Sequence, residues 1–311
     1  VIASAFVQDL AQRLHVAGIA DAAQEAEELV RALLCLSKSA YLASPPELTD
    51  GQIMQLHQQT ARRIAGEPLH YIVGSLTFMN LRVMVGPGVL IPRPETELLV
   101  EEAIRRIRSG KSEERGSETG RPEVESGIRN PGNASSQHSF LDLCTGSGCI
   151  ALSLAHAFPD ADVSGVDISP HALAYAGRNT EYNAIRNVRF LEGDLFGPVQ
   201  GRRFSCITAN PPYIRTADIG RLQVEIRAHE PLSALDGGPD GLEYYRRILA
   251  EAPRYLEPGG LLIMELGYDQ SDEISALAAA RGFRDIRCVP DYAGIPRVFL
   301  GLCPHGEQRS A

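Results

Sequence analysis

Long apolar runs, closely spaced cysteine pairs and an excess of basic residues are all missing from this sequence, and each absence removes a class of function. No stretch of about 18 apolar residues occurs, so no membrane-spanning helix is expected. The opening residues, VIASAFVQDLAQRLH, have no basic leader region, and Asp9 and Arg13 interrupt the apolar residues; they do not read as a secretory signal or an Arg-rich transit peptide. Cys35, Cys144, Cys149, Cys206, Cys288 and Cys303 form no C-x-x-C pair and mostly sit in apolar runs, which reads as buried free thiols in a reducing cytoplasm. Lysine and arginine number 30 against 39 aspartates and glutamates, a formal net charge of -9, which argues against a protein whose main work is coating DNA or RNA. Tryptophan is absent. What remains is 311 residues, 44% of them hydrophobic, enough for about two domains and for a core that needs no disulfide or metal staple.

Residues 1–65 repeat apolar side chains at helical spacing: Phe6, Leu10 and Leu14, then Ala26, Leu29, Leu33 and Leu36, then Ile53, Leu56 and Ile64. Pro45-Pro46 and Asp50-Gly51 punctuate them, which predicts a small helical bundle, with the domain drawn over 1–74. Residues 75–91 read as a β-hairpin linker turning at Met79-Asn80, and 92–108 as a helix with acids first and basic residues last. The Ser-, Gly- and Glu-rich stretch 109–139 holds few aliphatic residues and is expected to be a disordered insertion. Beyond it strands are predicted at 140–144, 160–167, 187–194, 204–210 and 259–267, with helices at 148–157, 170–183, 241–256 and 270–280. This alternation predicts a mostly parallel, doubly wound α/β sheet over 92–311. Two consecutive closing strands, 283–290 and 296–302, predict one antiparallel strand inserted at the end.

Two loops carry chemistry. Asp142-Leu-Cys144-Thr145-Gly146-Ser147-Gly148 lies between a strand and a helix, where glycines let the backbone approach a ligand. Asp167 ends the next strand, placed to accept from two ribose hydroxyls. Gly146 to Ala151 also fits the G-x-G-x-x-A of a dinucleotide fold. Asp142 tilts the choice, because a carboxylate there suits the ammonium group of S-adenosylmethionine (SAM) better than a pyrophosphate. Asp194, at the end of the third strand, is a candidate for facing the adenine. Asn210-Pro211-Pro212-Tyr213 follows the fourth strand, and its prolines fix the backbone and remove two N–H donors. The Asn210 side-chain oxygen and the Pro211 carbonyl can each accept one N–H of a planar NH₂ group and aim its nitrogen at a methyl donor, with Tyr213 against the plane. Such catalysis is positioning plus electrostatics, with no metal. His15, His57, His70, His156, His171 and His229 show no ligand spacing.

With these motifs the sequence resembles the HemK/PrmC family of release-factor glutamine methyltransferases. The resemblance is carried further by Gly66-Glu-Pro-Leu-His-Tyr-Ile-Val-Gly74, Ile91-Pro-Arg-Pro-Glu-Thr-Glu97, the run from His229 to Leu242, and Gly259-Gly-Leu-Leu-Ile-Met-Glu-Leu-Gly267. It implies a class I SAM-dependent methyltransferase, a seven-stranded, mostly parallel doubly wound sheet, behind a small N-terminal helical bundle that helps dock the substrate. The implied substrate is the glutamine of the Gly-Gly-Gln loop of class 1 peptide-chain release factors. By position, Cys144, Thr145, Gly146, Ser147 and Gly148 would hold the methionine part of SAM, Asp167 the ribose, and Asp194-Leu195 the adenine. Asn210, Pro211, Pro212 and Tyr213 would hold the glutamine, with Asn210 also beside SAM. Cys144 stands where a glycine is common. A cytoplasmic monomer with no nucleic-acid partner is expected. A ribosomal-protein glutamine methyltransferase and a nucleic-acid adenine methyltransferase are the alternatives, the second disfavoured by the acidic net charge and the lack of a basic target-reading domain.

Overall fold

The structure, a computed structural model, describes residues 2–109 and 138–304. Apolar residues three and four positions apart give the first helices their buried stripes. Helix α1 (Ala3–Val16) buries Phe6, Leu10 and Leu14, and α2 (Ala22–Leu33) buries Ala26, Leu29 and Val30. Next come α3 (Lys38–Ala43), α4 (Asp50–Ile64) and α5 (Leu69–Val73). Thr49 starts α4 with a capping box, its hydroxyl accepting from the Gln52 N–H and the Gln52 amide oxygen accepting from the Thr49 N–H. Gly74 ends α5 at φ 85, the left-handed stop that glycine takes without strain. Leu10, Leu14, Leu29 and Leu56 are fully buried in the core these helices share.

The hairpin appears where expected, β1 (Ser75–Phe78) and β2 (Leu81–Met84) turning at Met79, with φ 52, and Asn80. It stops at Met84, short of the expected 91. Helix α6 (Pro94–Ser109) carries Glu95 and Glu97 in its first turn and Arg106 and Arg108 in its last. Of the segment expected to be disordered, 110–137 lies outside the described residues. Ser109 closes α6 and Ser139 opens the next strand.

From there the chain alternates: β3 (Ser139–Leu143), α7 (Cys149–Ala157), β4 (Asp162–Asp167), α8 (Pro170–Tyr182), β5 (Val188–Glu192) and β6 (Phe204–Ala209). After α9 (Val224–His229) come α10 (Glu243–Tyr255), β7 (Leu256–Glu265), α11 (Ser271–Ala280), β8 (Arg284–Pro290) and β9 (Pro296–Leu302). The sheet has seven strands in the order β5-β4-β3-β6-β7-β9-β8. Neighbours run parallel except at β9, which is antiparallel to β7 and β8, so the inserted reversed strand is confirmed. The inner strands are covered on both faces and read as near-continuous apolar runs, with Leu141, Leu143, Ile207, Leu262 and Met264 almost wholly buried. The chain winds outward from β3 to β5 and resumes on the other side of β3 at β6. This reversal between β3 and β6 is where open α/β sheets bind ligands, at the carboxyl ends of the strands.

Two compact units result, and neither is continuous in sequence. The helical one runs to Leu76 and takes in Met84–Ile91 and Gly220–Pro231; the other takes Thr77–Val83, Pro92–Ile219 and the chain from Leu232 onward. Within the helical unit Arg63 is 8% exposed and donates to Glu25 over 2.6 and 3.1 Å and to Glu225 of α9 over 3.0 Å. Among the described residues no helix is long and apolar enough to cross a membrane.

Candidate active site

Five strand ends build the site. Beyond β3 the backbone turns through Cys144 at φ 54, Gly146 at φ 56 and Gly148 at φ 81. The left-handed φ at Cys144 shows why glycine suits this position. Its side chain packs against the apolar core, and burial pushes the thiol up. At Gly148 a side chain is excluded twice over, because a Cβ would also stand 2.8 Å from Phe190. The loop braces itself. The Thr145 N–H donates to the Val166 carbonyl over 3.0 Å, the Gly148 N–H to the Thr145 carbonyl over 2.8 Å, and the Asn179 amide to the Ser147 carbonyl over 2.9 Å.

Asp142 braces the loop from within the sheet. It is fully buried, opposite Thr208 on β6, and accepts from the Thr145 hydroxyl over 2.5 Å and the Thr208 hydroxyl over 2.8 Å. Desolvation pushes its carboxyl up to about 7. Both oxygens are engaged inside the sheet, so this acid holds the loop from below. The Thr145 side chain likewise turns inward.

Asp167 is where the sequence places it, at the end of β4. One oxygen accepts from the Gly146 N–H over 2.7 Å and the other from the Ser169 N–H over 2.9 Å. A carboxylate offers about four lone-pair sites, so these bonds do not use up its capacity to accept from a diol. Burial raises this carboxyl, against the backbone N–H groups of Ser169, Gly146 and Ile168. Beside it Ile168 is 62% exposed, an apolar face that sequence reading missed. At the end of β5 Asp194 is exposed and paired with Arg247 of α10. The Leu195 side chain lies in the core, with φ 46, so only its backbone is left for an adenine.

Asn210, Pro211, Pro212 and Tyr213 leave the end of β6 beside the glycine loop, across the reversal point. The Asn210 amide nitrogen donates to the Glu265 carboxylate over 2.9 Å and to the Thr96 hydroxyl over 3.3 Å. This fixes the amide with its oxygen on the other side, where it makes no hydrogen bond among the described residues. Tyr213 donates its hydroxyl to Glu265 over 3.2 Å, and its ring packs against the core. Burial and the Glu265 charge push the phenol well up, so it stays a donor. Gln270 ties the loop down, donating to the Tyr213 carbonyl over 3.0 Å and the Gly241 carbonyl over 3.2 Å while accepting from the Gly267 N–H. The segment before α10 lies directly on this backbone. A Cβ at Gly237 would stand 2.7 Å from the Tyr213 Cα, and one at Gly241 would stand 2.4 Å from the Tyr213 carbonyl oxygen. Thr96, Glu265 and Gln270 escaped sequence reading. Their one local signal is a polar residue where apolar neighbours predict burial; Thr96 and Glu265 are each 1% exposed. Of the charged residues around Thr96, Glu97 serves the hairpin, accepting from the Met79 N–H.

A self-braced glycine loop, a strand-end carboxylate with lone pairs to spare and a rigid Asn-Pro-Pro-Tyr turn, on seven strands with one reversed, define a SAM-dependent methyltransferase. The donor set fits SAM, with acceptors for a ribose and an exposed apolar side chain for a base. A family model described as a methyltransferase domain matches residues 134–284, and one described as the PrmC N-terminal domain matches 6–74. The chain is 42% identical to the release factor glutamine methyltransferase of Thermodesulfovibrio yellowstonii, across 89% of this chain and 91% of that one. It is 41% identical to that of Geobacter sulfurreducens, across 91% and 90%, and 39% identical to that of Moorella thermoacetica, across 93% and 94%. The chain belongs to the release factor glutamine methyltransferase family.

Proposed function

We propose that this enzyme methylates the side-chain amide nitrogen of the glutamine in the Gly-Gly-Gln loop of class 1 peptide-chain release factors. SAM, when bound, supplies an electrophilic methyl group. The loop from Cys144 to Gly148 holds its methionine part, Asp167 its ribose, and the backbone at Asp194-Leu195 with Ile168 its adenine. A glutamine amide nitrogen is a poor nucleophile because its lone pair is delocalised. The Asn210 oxygen and the Pro211 carbonyl accept its two N–H groups and hold the nitrogen in line, with Pro212 and Tyr213 walling the site; the methylated nitrogen loses its proton to water. Positioning and fixed dipoles carry the rate. The helical unit helps dock the release factor, and the enzyme works as a cytoplasmic monomer on protein, not nucleic acid, in keeping with its net charge of -9.

The observation that carries this reading is the fixed Asn210 amide, its nitrogen tied to Glu265 and its oxygen without a hydrogen bond among the described residues. The test is mass spectrometry of the Gly-Gly-Gln peptide after unmethylated release factor is incubated with the enzyme and SAM. One added methyl on the glutamine is expected, with turnover cut about 10²–10³-fold in Asn210→Ala, the loss typical of one preorganised polar contact. No methylation by an enzyme that binds SAM would overturn the reading and turn the same assay to ribosomal protein and nucleic acid.

A further inference from the structure

Glu265 lies between the two polar residues that bracket the prolines. It is 1% exposed at the end of β7 and receives three donors on two oxygens. One oxygen accepts from the Thr96 hydroxyl over 2.6 Å and the Asn210 amide over 2.9 Å, the other from the Tyr213 hydroxyl over 3.2 Å. A core position at the end of an apolar strand needs no such group, since a buried polar side chain costs stability unless every bond is made.

We infer that Glu265 is a positioning residue for methyl transfer, acting through Asn210 to fix the direction of its amide and to strengthen its oxygen as an acceptor. The inference rests on the glutamine-methylation reading above. Its first part follows from donor and acceptor inventory. Burial raises the Glu265 carboxyl, and the Thr96 and Tyr213 hydroxyls act the other way by bonding to the charged form; as a carboxylate it only accepts, so it tolerates the amide nitrogen of Asn210 and repels the amide oxygen. A rotation of the amide by half a turn would set two acceptors face to face and point N–H groups at the substrate's own N–H groups. Without Glu265 the two orientations are close in energy, and only one of them binds the glutamine amide. The second part is electrostatic. The substrate nitrogen gains positive charge as it takes the methyl group, before its proton leaves to water. An anion on the nitrogen side of Asn210 polarises that amide and makes its oxygen a better acceptor as the charge grows, in a site where charge-assisted bonds are strong. Thr96 reaches the same oxygen from α6, and Tyr213 holds the other, so the carboxylate has no freedom to turn away.

The test is a double-mutant cycle on the whole enzyme, with release factor and SAM, reading kcat, KM and SAM affinity for wild type, Glu265→Gln, Asn210→Ala and the double variant. Glu265→Gln keeps the volume and one acceptor oxygen. It is expected to lower kcat about 10–10²-fold, less than a complete loss of the polar contact, with KM and SAM affinity within about threefold by that same assignment. In the Asn210→Ala background it should cost no more than about threefold further, because the residue it acts through is gone. A fully additive double variant, a near-wild-type Glu265→Gln, or a loss of SAM affinity equal to the loss of kcat would each overturn the inference. Thr96→Val, run in the same cycle, keeps the test alive should Glu265→Gln fail to fold; a kcat loss there that persists unchanged without Asn210 also refutes it. Failure of the underlying reading shows in the wild type alone, as SAM binding without methylation of the Gly-Gly-Gln glutamine, and takes this inference with it.

Discussion

Replacing Gly241 by alanine should damage both stability and turnover, and the two costs can be separated by a second glycine. Gly241 has φ +76, and an added Cβ would stand 2.4 Å from the Tyr213 carbonyl oxygen and 2.5 Å from the Gln270 side-chain nitrogen. Gly294 has nearly the same backbone, φ +80, with nothing within 4 Å. An L-residue in this region costs about 1–2 kcal/mol. Alanine recovers about 0.4–1 kcal/mol of that by stiffening the unfolded chain. Gly294→Ala should therefore lose about 1 kcal/mol, with activity intact. Gly241→Ala adds an overpacking cost of about 1–3 kcal/mol, because the atoms in the way are a backbone carbonyl and a side chain held by three hydrogen bonds. At about 2–4 °C per kcal/mol, the expected drop in Tm is roughly 2–4 °C for the first variant and 5–15 °C for the second. The displaced carbonyl belongs to the substrate-holding turn, so Gly241→Ala should also lose about 10²-fold in kcat at temperatures where it is fully folded, the scale of an ångström's misplacement. Calorimetry and methyl-transfer kinetics on both variants decide the matter. If Gly241→Ala matches Gly294→Ala in Tm and in kcat, the segment before α10 does not hold the Asn-Pro-Pro-Tyr turn.

Asp167→Ala should weaken SAM binding before it changes anything else, by about 10–10²-fold, since it removes charge-assisted acceptors worth about 1.5–3 kcal/mol; unchanged affinity by titration calorimetry would remove the ribose role. Asp142→Asn should flatten the pH dependence of stability. Its carboxyl is raised to about 7 when folded, so the folded protein holds this proton more tightly than the unfolded chain does. The stability it contributes is therefore present below the ordinary carboxylate range and lost as pH rises through about 7. The Tm of the variant relative to wild type should be higher at pH 8 than at pH 5, and no change in that difference between the two would refute the buried, partly neutral acid.

The sheet was legible because its inner strands are covered on both faces, so apolar runs mark them whatever lies alongside. The reversed strand was legible because 283–290 and 296–302 follow each other without a helix between. Gly146, Gly148, Asp167 and Asn210 stood out because a local backbone requirement or a strand-end position announces them. Thr96, Glu265 and Gln270 did not. Their meaning lies in bonds between residues far apart: Thr96 lies 169 positions from Glu265, and Asn210 lies 55 from it. The inward turn of Thr145 and Asp142 was hidden for the same reason, since it depends on Thr208 across the sheet. The passage from 220 to 231 into the helical unit was also invisible, because a six-residue helix with a charged face reads as a loop until Glu225 meets Arg63.

That last pairing bears on how the chain is made. A ribosome releases residues in order, and Glu225 follows Arg63 by 162 positions. The first helices emerge long before the segment that completes their charge pairing, and Arg63 waits with Glu25 alone until most of the parallel sheet has been synthesised. The helical unit is thus finished late although it is begun first. Its borders do not fall at a single point in the chain, because a bundle severed after Gly74 leaves behind the Glu225 carboxylate that pairs with its buried guanidinium.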